Sequence, residues 1–400
     1  MANRLFQEDG RNVYTGCELL VKGALEGRTN LLTGYPGSPI AEVFDIIERQ
    51  GKHLQAHGVL AQLANNEALS AARLNGAQMA SLRAISFMKS VGVHVAADAL
   101  AISNLAGAVG GAVVVMGEDP HSDSTQVPSD SRYIAQHLFL PTLEPSTFQE
   151  VKDWVGLALD LSAETKFYVA YIITTHQADG GGAVSLAAHP ALDVTPDSPI
   201  TIDPDKIHRE DRIMLPPQTA RVELELINDR FPLLLRRVRD MGVNRIVHPK
   251  PGAQIGFVAT GAAYLYLEHA LHELGLQGQI PILKLGMSYP IDSEILFEFA
   301  DTVDHLIVAE ERRSFMEGRI KEILSDAVRD GVLEDAPPVW GKRFPFDLDG
   351  FPATLGLNPT LVISTIIPLM ERVNDIRVSP DRLGREKAFV TAPTPPPATF

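Results

Sequence analysis

Residues 83–98 read RAISFMKSVGVHVAAD, and this stretch decides the fold class of the 400-residue chain. Its first part, Arg83–Met88, is an apolar run with the length of a buried β-strand. The second part opens the segment Val91–Leu105, where small residues recur as they do in a closely packed helix. A strand that passes directly into a helix is the repeating unit of α/β proteins with a mainly parallel sheet, and we predict that fold class here.

The same alternation of strand and helix extends to both sides of this stretch. From residue 14 to Thr174 the order is that of an α/β domain with a mainly parallel sheet. The predicted helices are 14–27, Pro39–Gln50, Glu67–Met79 and Thr147–Ala163, and the predicted strands are Asn30–Thr33, Ala112–Met116 and Phe167–Thr174.

The pattern is interrupted between about Gly180 and Gly252, where glycines, prolines and an arginine-rich stretch replace it. It restarts at Gln254 with strands and helices that predict a second, smaller α/β domain. The final residues, TAPTPPPATF, are proline-rich and favour an extended or disordered tail. We therefore predict a domain at 1–200, a linker at 201–252, a domain at 253–380 and a tail at 381–400.

Composition and charge exclude several functional classes. The chain has 35 Lys and Arg against 50 Asp and Glu, a net charge of −15, whereas nucleic-acid binding needs a basic surface. No apolar run is long enough to span a bilayer, and the N-terminus lacks a secretion signal, so we expect a cytoplasmic protein without a membrane partner. The single cysteine, Cys17, can form no internal disulfide and cannot hold an iron–sulfur cluster, which needs several thiolates.

A rigid turn follows the strand predicted at Asn30–Thr33. Residues 33–39 read TGYPGSP, and their glycines and prolines are typical of a tight turn. Ser38 lies at the expected start of the next helix, where its hydroxyl and the backbone amides could bind a carboxylate. A capped helix start, with Ser38 as the cap and Pro39 as the first helical residue, explains the same residues without a ligand.

Charged residues stand at two further helix starts. Glu67 follows two asparagines and opens an alanine-rich helix, where the helix dipole alone favours a glutamate. Lys89, His94 and Asp98 interrupt the apolar stretch at 83–98, and buried charges need a partner or a ligand. If Lys89 instead lies at the rim of the sheet and Asp98 caps a helix, these residues need no partner and no ligand.

A polar loop follows the apolar strand Ala112–Met116. Residues 117–132 read GEDPHSDSTQVPSDSR, and the carboxyl ends of parallel strands are where open sheets bind their ligands. Asp119, His121 and Asp123 carry atoms that can bind a metal, but their spacing matches no common metal site, and we expect no metal.

These four segments, in this order, resemble the 2-oxoacid:acceptor oxidoreductase family, and within it the alpha subunits of indolepyruvate ferredoxin oxidoreductases. The resemblance covers most of residues 14–365, and the run Met88–Asp98 is its most specific part. The matching segments are Tyr35–Pro39, Asn66–Glu67, Met88–Asp98, Asp119–Arg132, Leu143–Ser146, Leu283–Gly286, Tyr289–Pro290 and Val308–Glu311.

The resemblance implies an α/β fold with a pyrimidine-type thiamine diphosphate-binding domain, followed by a smaller transketolase C-terminal-like domain. Glu67 would be the catalytic residue, because a carboxylate that is hydrogen-bonded to the pyrimidine ring nitrogen activates the cofactor. The thiazolium ring of the activated cofactor then acts as the electron sink. Ser38 and Lys89 would bind the substrate. The cofactor-binding residues that the resemblance implies are Tyr35, Pro36, Glu67, Asp119 and Gln126.

One motif of the family is missing. Thiamine enzymes hold the diphosphate through Mg²⁺ with a Gly-Asp-Gly motif and a downstream Asn, and Asp179–Gly182 lacks the first glycine and the Asn. The Mg²⁺ and the iron–sulfur clusters are therefore expected on partner subunits, or on a further part of a longer polypeptide.

The resemblance implies oxidative decarboxylation of an aryl or other 2-oxoacid to an acyl-CoA, with electrons passed to the partner's iron–sulfur centres. The expected partners are the diphosphate-binding and iron–sulfur subunits, coenzyme A and the 2-oxoacid. Two alternatives stay open, namely a thiamine-dependent decarboxylase or carboligase subunit without a redox step, and a non-catalytic scaffold subunit.

Overall fold

The structure, a computed structural model, describes residues 3–192, 194 and 214–391, and these residues form two compact units. The first unit contains the described residues up to Asn244 and Gly286–Pro290. The second contains Arg245–Leu285 and the described residues from Ile291 onward. Residues 195–200 of the predicted first domain, residues 201–213 at the start of the predicted linker and the proline-rich residues 392–400 lie outside the described residues. The domain boundaries drawn from the sequence stay predictions.

A seven-stranded sheet forms the centre of the first unit. The strands of this unit are β1 (Arg11–Thr15), β2 (Leu31–Gly34), β3 (Leu60–Leu63), β4 (Ala84–Lys89), β5 (Ala112–Glu118), β6 (Thr142–Leu143), β7 (Val169–Thr174), β8 (Gly181–Ser185) and β12 (Met287–Tyr289). The order in the sheet is β12-β6-β7-β5-β4-β2-β3, and every neighbouring pair except β12 with β6 is parallel. β5 is buried over its whole length, which explains its mostly apolar sequence. The predicted fold class is confirmed.

Helices connect the strands of the first unit. They are α1 (Gly16–Glu26), α2 (Ala41–Ala56), α3 (Glu67–Met79), α4 (Ser90–Ala106), α5 (Ser131–His137), α6 (Phe148–Thr165) and α7 (Thr175–Asp179). Thr15 and Thr147 start α1 and α6 with capping boxes, in which a glutamate three residues later completes the second hydrogen bond. Asn66 caps α3, so this helix begins and ends where the sequence predicts.

Several short elements were not predicted. β1 pairs antiparallel with β8, and β12 extends the main sheet by pairing antiparallel with β6. Strands of this length are too short to show a clear period in the sequence.

Most of the described part of the predicted linker is helical, and the strand β9 (Arg245–Val247) lies near its end. α8 (Gln218–Glu225), a π-helical turn (Leu226–Arg230) and α9 (Phe231–Asp240) follow one another, and their apolar side chains enter the first unit's core at Leu226, Leu234 and Val238. The buried Arg230 guanidinium donates to the Asn104 carbonyl at the end of α4.

The second unit is built on a five-stranded sheet. Its elements are β9 (Arg245–Val247), β10 (Ala253–Thr260), α10 (Gly261–Glu273), β11 (Ile282–Leu285), α11 (Ser293–Ala300), β13 (Val303–Ala309), α12 (Phe315–Arg329), β14 (Val339–Trp340), β15 (Arg343–Phe344), β16 (Leu348–Asp349), α13 (Pro359–Met370) and α14 (Pro380–Thr391). The order is β14-β13-β10-β11-β9, with only β9 antiparallel to its neighbour. The pattern therefore matches the predicted second α/β domain.

The C-terminal segment differs from its prediction. Residues 380–391 form α14, although the tail was predicted to start at 381. The prolines that suggested a tail begin only at Pro393, so they do not oppose a helix before that point. Within the described residues, no helix combines the length and the apolarity needed to cross a bilayer.

Candidate active site

The predicted site residues lie where four adjacent parallel strands, β5, β4, β2 and β3, reach their carboxyl ends. The register pairs Gly34 with Phe87 and Lys89 with Gly117, so the segments that follow these strands start side by side. A Cβ at Gly117 would lie 2.9 Å from Cδ of Pro39, which places the end of β5 against the turn that follows β2. This edge is the expected ligand-binding edge of such a sheet.

Glu67 is the first residue of α3, and its side chain is buried against the first turn of α4. The residue is 6% exposed. A Cβ at Gly92 would lie 2.7 Å from Cγ and 2.8 Å from the carboxyl carbon of Glu67, so a glycine is needed to leave room for the carboxylate. Among the described residues, this carboxylate has no hydrogen-bond or ion-pair partner. Because an unpaired buried carboxylate is costly, its environment indicates a ligand.

Two other first-turn glutamates show what a purely structural role requires. Glu18 accepts a hydrogen bond from the Thr15 amide at 3.0 Å, and Glu150 accepts one from the Thr147 amide at 3.2 Å. Both stand three residues after their caps, whereas Glu67 directly follows its own cap and makes no such bond. Glu67 therefore does not serve its helix as a capping-box residue, whereas a favourable interaction with the helix dipole needs no such bond.

Lys89 lies along the turn that follows β2. A Cβ at Gly37 would lie 2.7 Å from Cδ of Lys89, so the stem of the lysine runs over this glycine. The side chain is half-buried, and its ammonium has no hydrogen-bond or ion-pair partner in the described part of the chain. An unpaired cation at a ligand-binding edge can bind an anionic group.

The turn itself places the other predicted contacts near the surface. The Tyr35 amide donates to the Phe87 carbonyl at 3.1 Å, which fixes the turn to β4. Tyr35 and Pro36 are exposed, and Ser38 is half-buried and precedes a cis proline. Ser38 does not cap α2 through its side chain, because the cap position of that helix is Ile40.

Asp119 is buried, and its carboxylate is occupied by its own loop. It accepts hydrogen bonds from the backbone amides of residues 123–125 at 2.7–3.0 Å. Burial acts to raise the pKa of Asp119, but these hydrogen bonds outweigh it and hold the pKa below its ordinary value. The Asp119 carboxylate therefore holds residues 123–125 of the loop in place. Gln126 follows this segment and is exposed.

Glu118 is a candidate that the sequence analysis missed, because the strand was predicted to end at Met116. It ends β5 and is 5% exposed, and it accepts hydrogen bonds from the Ser131 amide at 2.9 Å and the Ser129 hydroxyl at 3.3 Å. Burial raises the pKa of Glu118 to about 7; the Asp130 charge adds to this effect, and hydrogen bonds from Ser131 oppose it. The sequence feature that could have indicated Glu118 is the pair of acidic residues, Glu118 and Asp119, directly after an apolar strand.

The remaining charged residues of the motifs lie outside this group. His94 and Asp98 are exposed on α4. The rings of His121 and His176 are tilted by 44° to each other, with centroids 6.5 Å apart. No cluster of three or more possible metal-binding side chains occurs among residues 3–192, 194 and 214–391.

Comparison with solved structures defines the class of fold. The chain resembles a 2-oxoglutarate:ferredoxin oxidoreductase from Magnetococcus marinus, solved with 2-oxoglutarate, coenzyme A and succinyl-CoA bound, with a TM-score of 0.66 at 16% identity over 90% of this chain and 65% of that one. A split-gene transketolase, described as an inactive beta4 tetramer, gives a TM-score of 0.51 at 12% identity over 94% and 97% of the two chains. These likenesses concern the fold alone, and they confirm the predicted type of α/β protein.

Sequence comparison narrows this class. Residues 245–374 match the family model of the indolepyruvate oxidoreductase domain. The chain is 29% identical over 320 residues to the indolepyruvate oxidoreductase subunit IorA of Methanothermobacter marburgensis, covering 79% of this chain and 49% of the relative. It is 30% identical over 319 residues to the subunit IorA of Thermococcus kodakarensis, covering 79% and 48%. The chain thus spans about half the length of the curated relatives it matches, and the resemblance predicted from the four motifs is confirmed.

Proposed function

We propose that this chain is the pyrimidine-binding part of a thiamine diphosphate-dependent oxidoreductase that acts on an indolepyruvate-like, aryl 2-oxoacid. The carboxylate of Glu67, buried and without a partner among the described residues, is the observation that carries this proposal. Thiamine diphosphate, when bound, supplies the electron sink for decarboxylation. The complete reaction would consume coenzyme A, form an acyl-CoA and pass electrons to iron–sulfur centres on partner modules.

The surroundings of Glu67 suit a carboxylate that holds a proton at a ring nitrogen. Its side chain lies against the first turn of α4. Because no side chain of the described residues competes for its oxygens, Glu67 is free to accept a hydrogen bond from the protonated pyrimidine nitrogen. Gly92 is the second necessary residue, since any side chain there would displace the carboxylate.

The opposite side of the same edge suits the carboxylate of a 2-oxoacid. Lys89 offers an unpaired ammonium, and the half-buried Ser38 offers a hydroxyl on the turn that Lys89 crosses. A charge-assisted hydrogen bond from Lys89 would orient the substrate carboxylate. Tyr35 and Pro36, exposed on the same turn, would line the cofactor and substrate space.

The other half of the site would be supplied by partner modules that hold the diphosphate, the Mg²⁺ and the iron–sulfur clusters. Cys17, the only cysteine of the chain, is buried and cannot provide such ligands. Leu63, Leu69 and Val95 are 45–52% exposed at the end of β3, on the first turn of α3 and on the second turn of α4. Apolar side chains exposed around a functional residue favour a docking surface for such a partner. A cytoplasmic location stays a prediction.

The proposal is tested in a complex reconstituted with the iron–sulfur partner, using indolepyruvate, coenzyme A and a dye that accepts electrons. We expect Glu67→Ala to abolish dye reduction. Glu18→Ala is the matched control, because it removes a first-turn glutamate whose partners are the Thr15 amide and the Arg4 guanidinium, and it should keep activity. Full turnover by the Glu67→Ala complex would contradict the proposal. Carbon dioxide release without dye reduction would favour a non-redox decarboxylase, and a wild-type complex that binds no thiamine diphosphate would favour a scaffold.

A further inference from the structure

Two consecutive carboxylates at the end of β5 hold opposite halves of the loop that follows. Asp119 accepts the backbone amides of residues 123–125. Glu118 reaches the other end and accepts the Ser129 hydroxyl and the Ser131 amide. Residues 126–128 lie between the two anchored parts and are exposed. The loop is therefore fixed twice to the same strand end.

The carboxyl groups of Asp119 and Glu118 differ in which protonation state their surroundings stabilise. The Asp119 carboxylate receives three backbone amides, which stabilise its ionised form. The Glu118 carboxyl receives fewer hydrogen bonds and is buried under the loop, so burial dominates and its neutral form is favoured below about pH 7. A neutral carboxyl suits this place, because its hydroxyl can donate to Ser129 Oγ while its carbonyl accepts the Ser131 amide.

The charged groups around Glu118 do not reverse this preference. From α5 it faces the pair Asp130 and Arg132, whose side chains bind each other through two hydrogen bonds of 2.8 Å, so their charges largely cancel. On the neighbouring strands, β4 ends at Lys89, and His176 follows the end of β7. Lys89 would stabilise the ionised form, but its stem is directed over Gly37 on the turn after β2.

We propose that Glu118 is a positioning residue whose buried carboxyl clamps the Gln126–Ser131 half of the loop to β5, and that this clamp loosens when the carboxyl loses its proton. The ionised group is poorly hydrated while the loop covers it, and opening of the loop restores its hydration. Because the loop borders the ligand-binding edge, the clamp would also affect how tightly a 2-oxoacid is held, and this consequence alone rests on the proposed function.

The sign and size of the effect follow from proton linkage. Glu118 has a pKa of about 7 under the closed loop and an ordinary pKa of 4.5 when exposed, so the open form binds fewer protons. A rise in pH therefore favours opening, and between pH 6 and pH 8 the open fraction should increase about tenfold.

Hydrogen–deuterium exchange of the Ser131 amide, which donates to Glu118, tests the clamp in the full chain without any partner or substrate. After correction for intrinsic exchange, we expect wild-type protection to fall about tenfold from pH 6 to pH 8. Glu118→Gln should keep the Ser131 amide protected at both pH values, because a side-chain amide makes the same two hydrogen bonds without a charge. Glu118→Ala should lose protection at both, and Glu48→Gln, an exposed glutamate on α2, should behave as wild type.

Wild-type protection that does not change with pH, or an equal fall in Glu118→Gln, would overturn the proposal. In the assembled complex, the KM for indolepyruvate should rise with pH in the wild type and stay constant in Glu118→Gln. A complex without thiamine-dependent turnover would contradict the proposed function, and the exchange result would still decide whether Glu118 is the clamp.

Discussion

The carboxyl edges of the two parallel sheets use their acidic residues in opposite ways. In the second unit, Glu310 follows β13 with a relative exposure of 0% and accepts the amides of Met316 and Glu317 at 2.9 and 3.0 Å. The next residue, Glu311, accepts the Leu357 amide at 2.6 Å. In the first unit, Glu67 is nearly as buried and accepts nothing from the described residues.

The difference in hydrogen bonding distinguishes a carboxylate with a structural role from one that is available for binding. Amide donors compensate the burial of Glu310, so this residue stabilises the start of α12. Glu67 contributes no such bond, and among the described residues its carboxylate has no partner. We infer that the first edge is organised for binding and the second for the integrity of its own unit.

Gly92→Ala is expected to give the largest effect, because it removes the space in which the Glu67 carboxylate lies. The assembled complex should lose activity by about a hundredfold or more, as for loss of a residue that handles protons. Dye-linked turnover measures this loss.

The matched control is Gly76→Ala on α3, where no atom lies within 4 Å of the added Cβ. It should keep full activity and gain roughly 0.5–1 kcal/mol of stability from helix propensity. Equal activity of Gly92→Ala and Gly76→Ala would contradict the claim that the carboxyl edge of the first sheet, unlike that of the second, is organised for binding.

Glu310→Gln should affect stability where Glu67→Gln does not. Loss of charge-assisted bonds from two amides should lower the free energy of unfolding by roughly 1.5–3 kcal/mol, as measured by urea denaturation. Glu67→Gln removes a buried charge without a partner and should leave the stability unchanged or raise it. A destabilised Glu67→Gln variant with an unaffected Glu310→Gln variant would reverse the two assignments.

Lys89→Met should give the smallest effect. Removal of the unpaired ammonium should raise the KM for indolepyruvate about tenfold, the equivalent of about 1.4 kcal/mol, because one charged contact to the substrate carboxylate is lost. The kcat should change less, and Lys52→Met, an exposed lysine on α2, should leave both constants unchanged. An unaltered KM in Lys89→Met would remove this residue from the substrate site.

The sequence predicted the parts of the molecule that depend on long, regular patterns. The helix Glu67–Met79 and four strands of the parallel sheet, β2, β4, β5 and β7, follow from periodicity and composition, whereas β3 and β6 were not predicted. The position of Glu67 after Asn66 was visible as a motif. The contact between Glu67 and Gly92 joins residues on two helices, and no local pattern reveals it.

Glu118 shows the same limit. Its character depends on burial under a loop that returns thirteen positions later at Ser131, and the sequence gives no sign of that closure. The hydrogen bonds that the Asp119 carboxylate accepts from its own loop were not visible in the sequence either, and its role in cofactor binding stays a prediction.

The most direct test of the account is the rate at which the thiazolium C2 proton of thiamine diphosphate exchanges with deuterium in the assembled complex. We predict that Glu67→Gln slows this exchange by about a hundredfold or more while the cofactor stays bound and Glu18→Gln exchanges like the wild type. A Glu67→Gln complex that binds the cofactor and exchanges the proton at the wild-type rate would contradict the central claim.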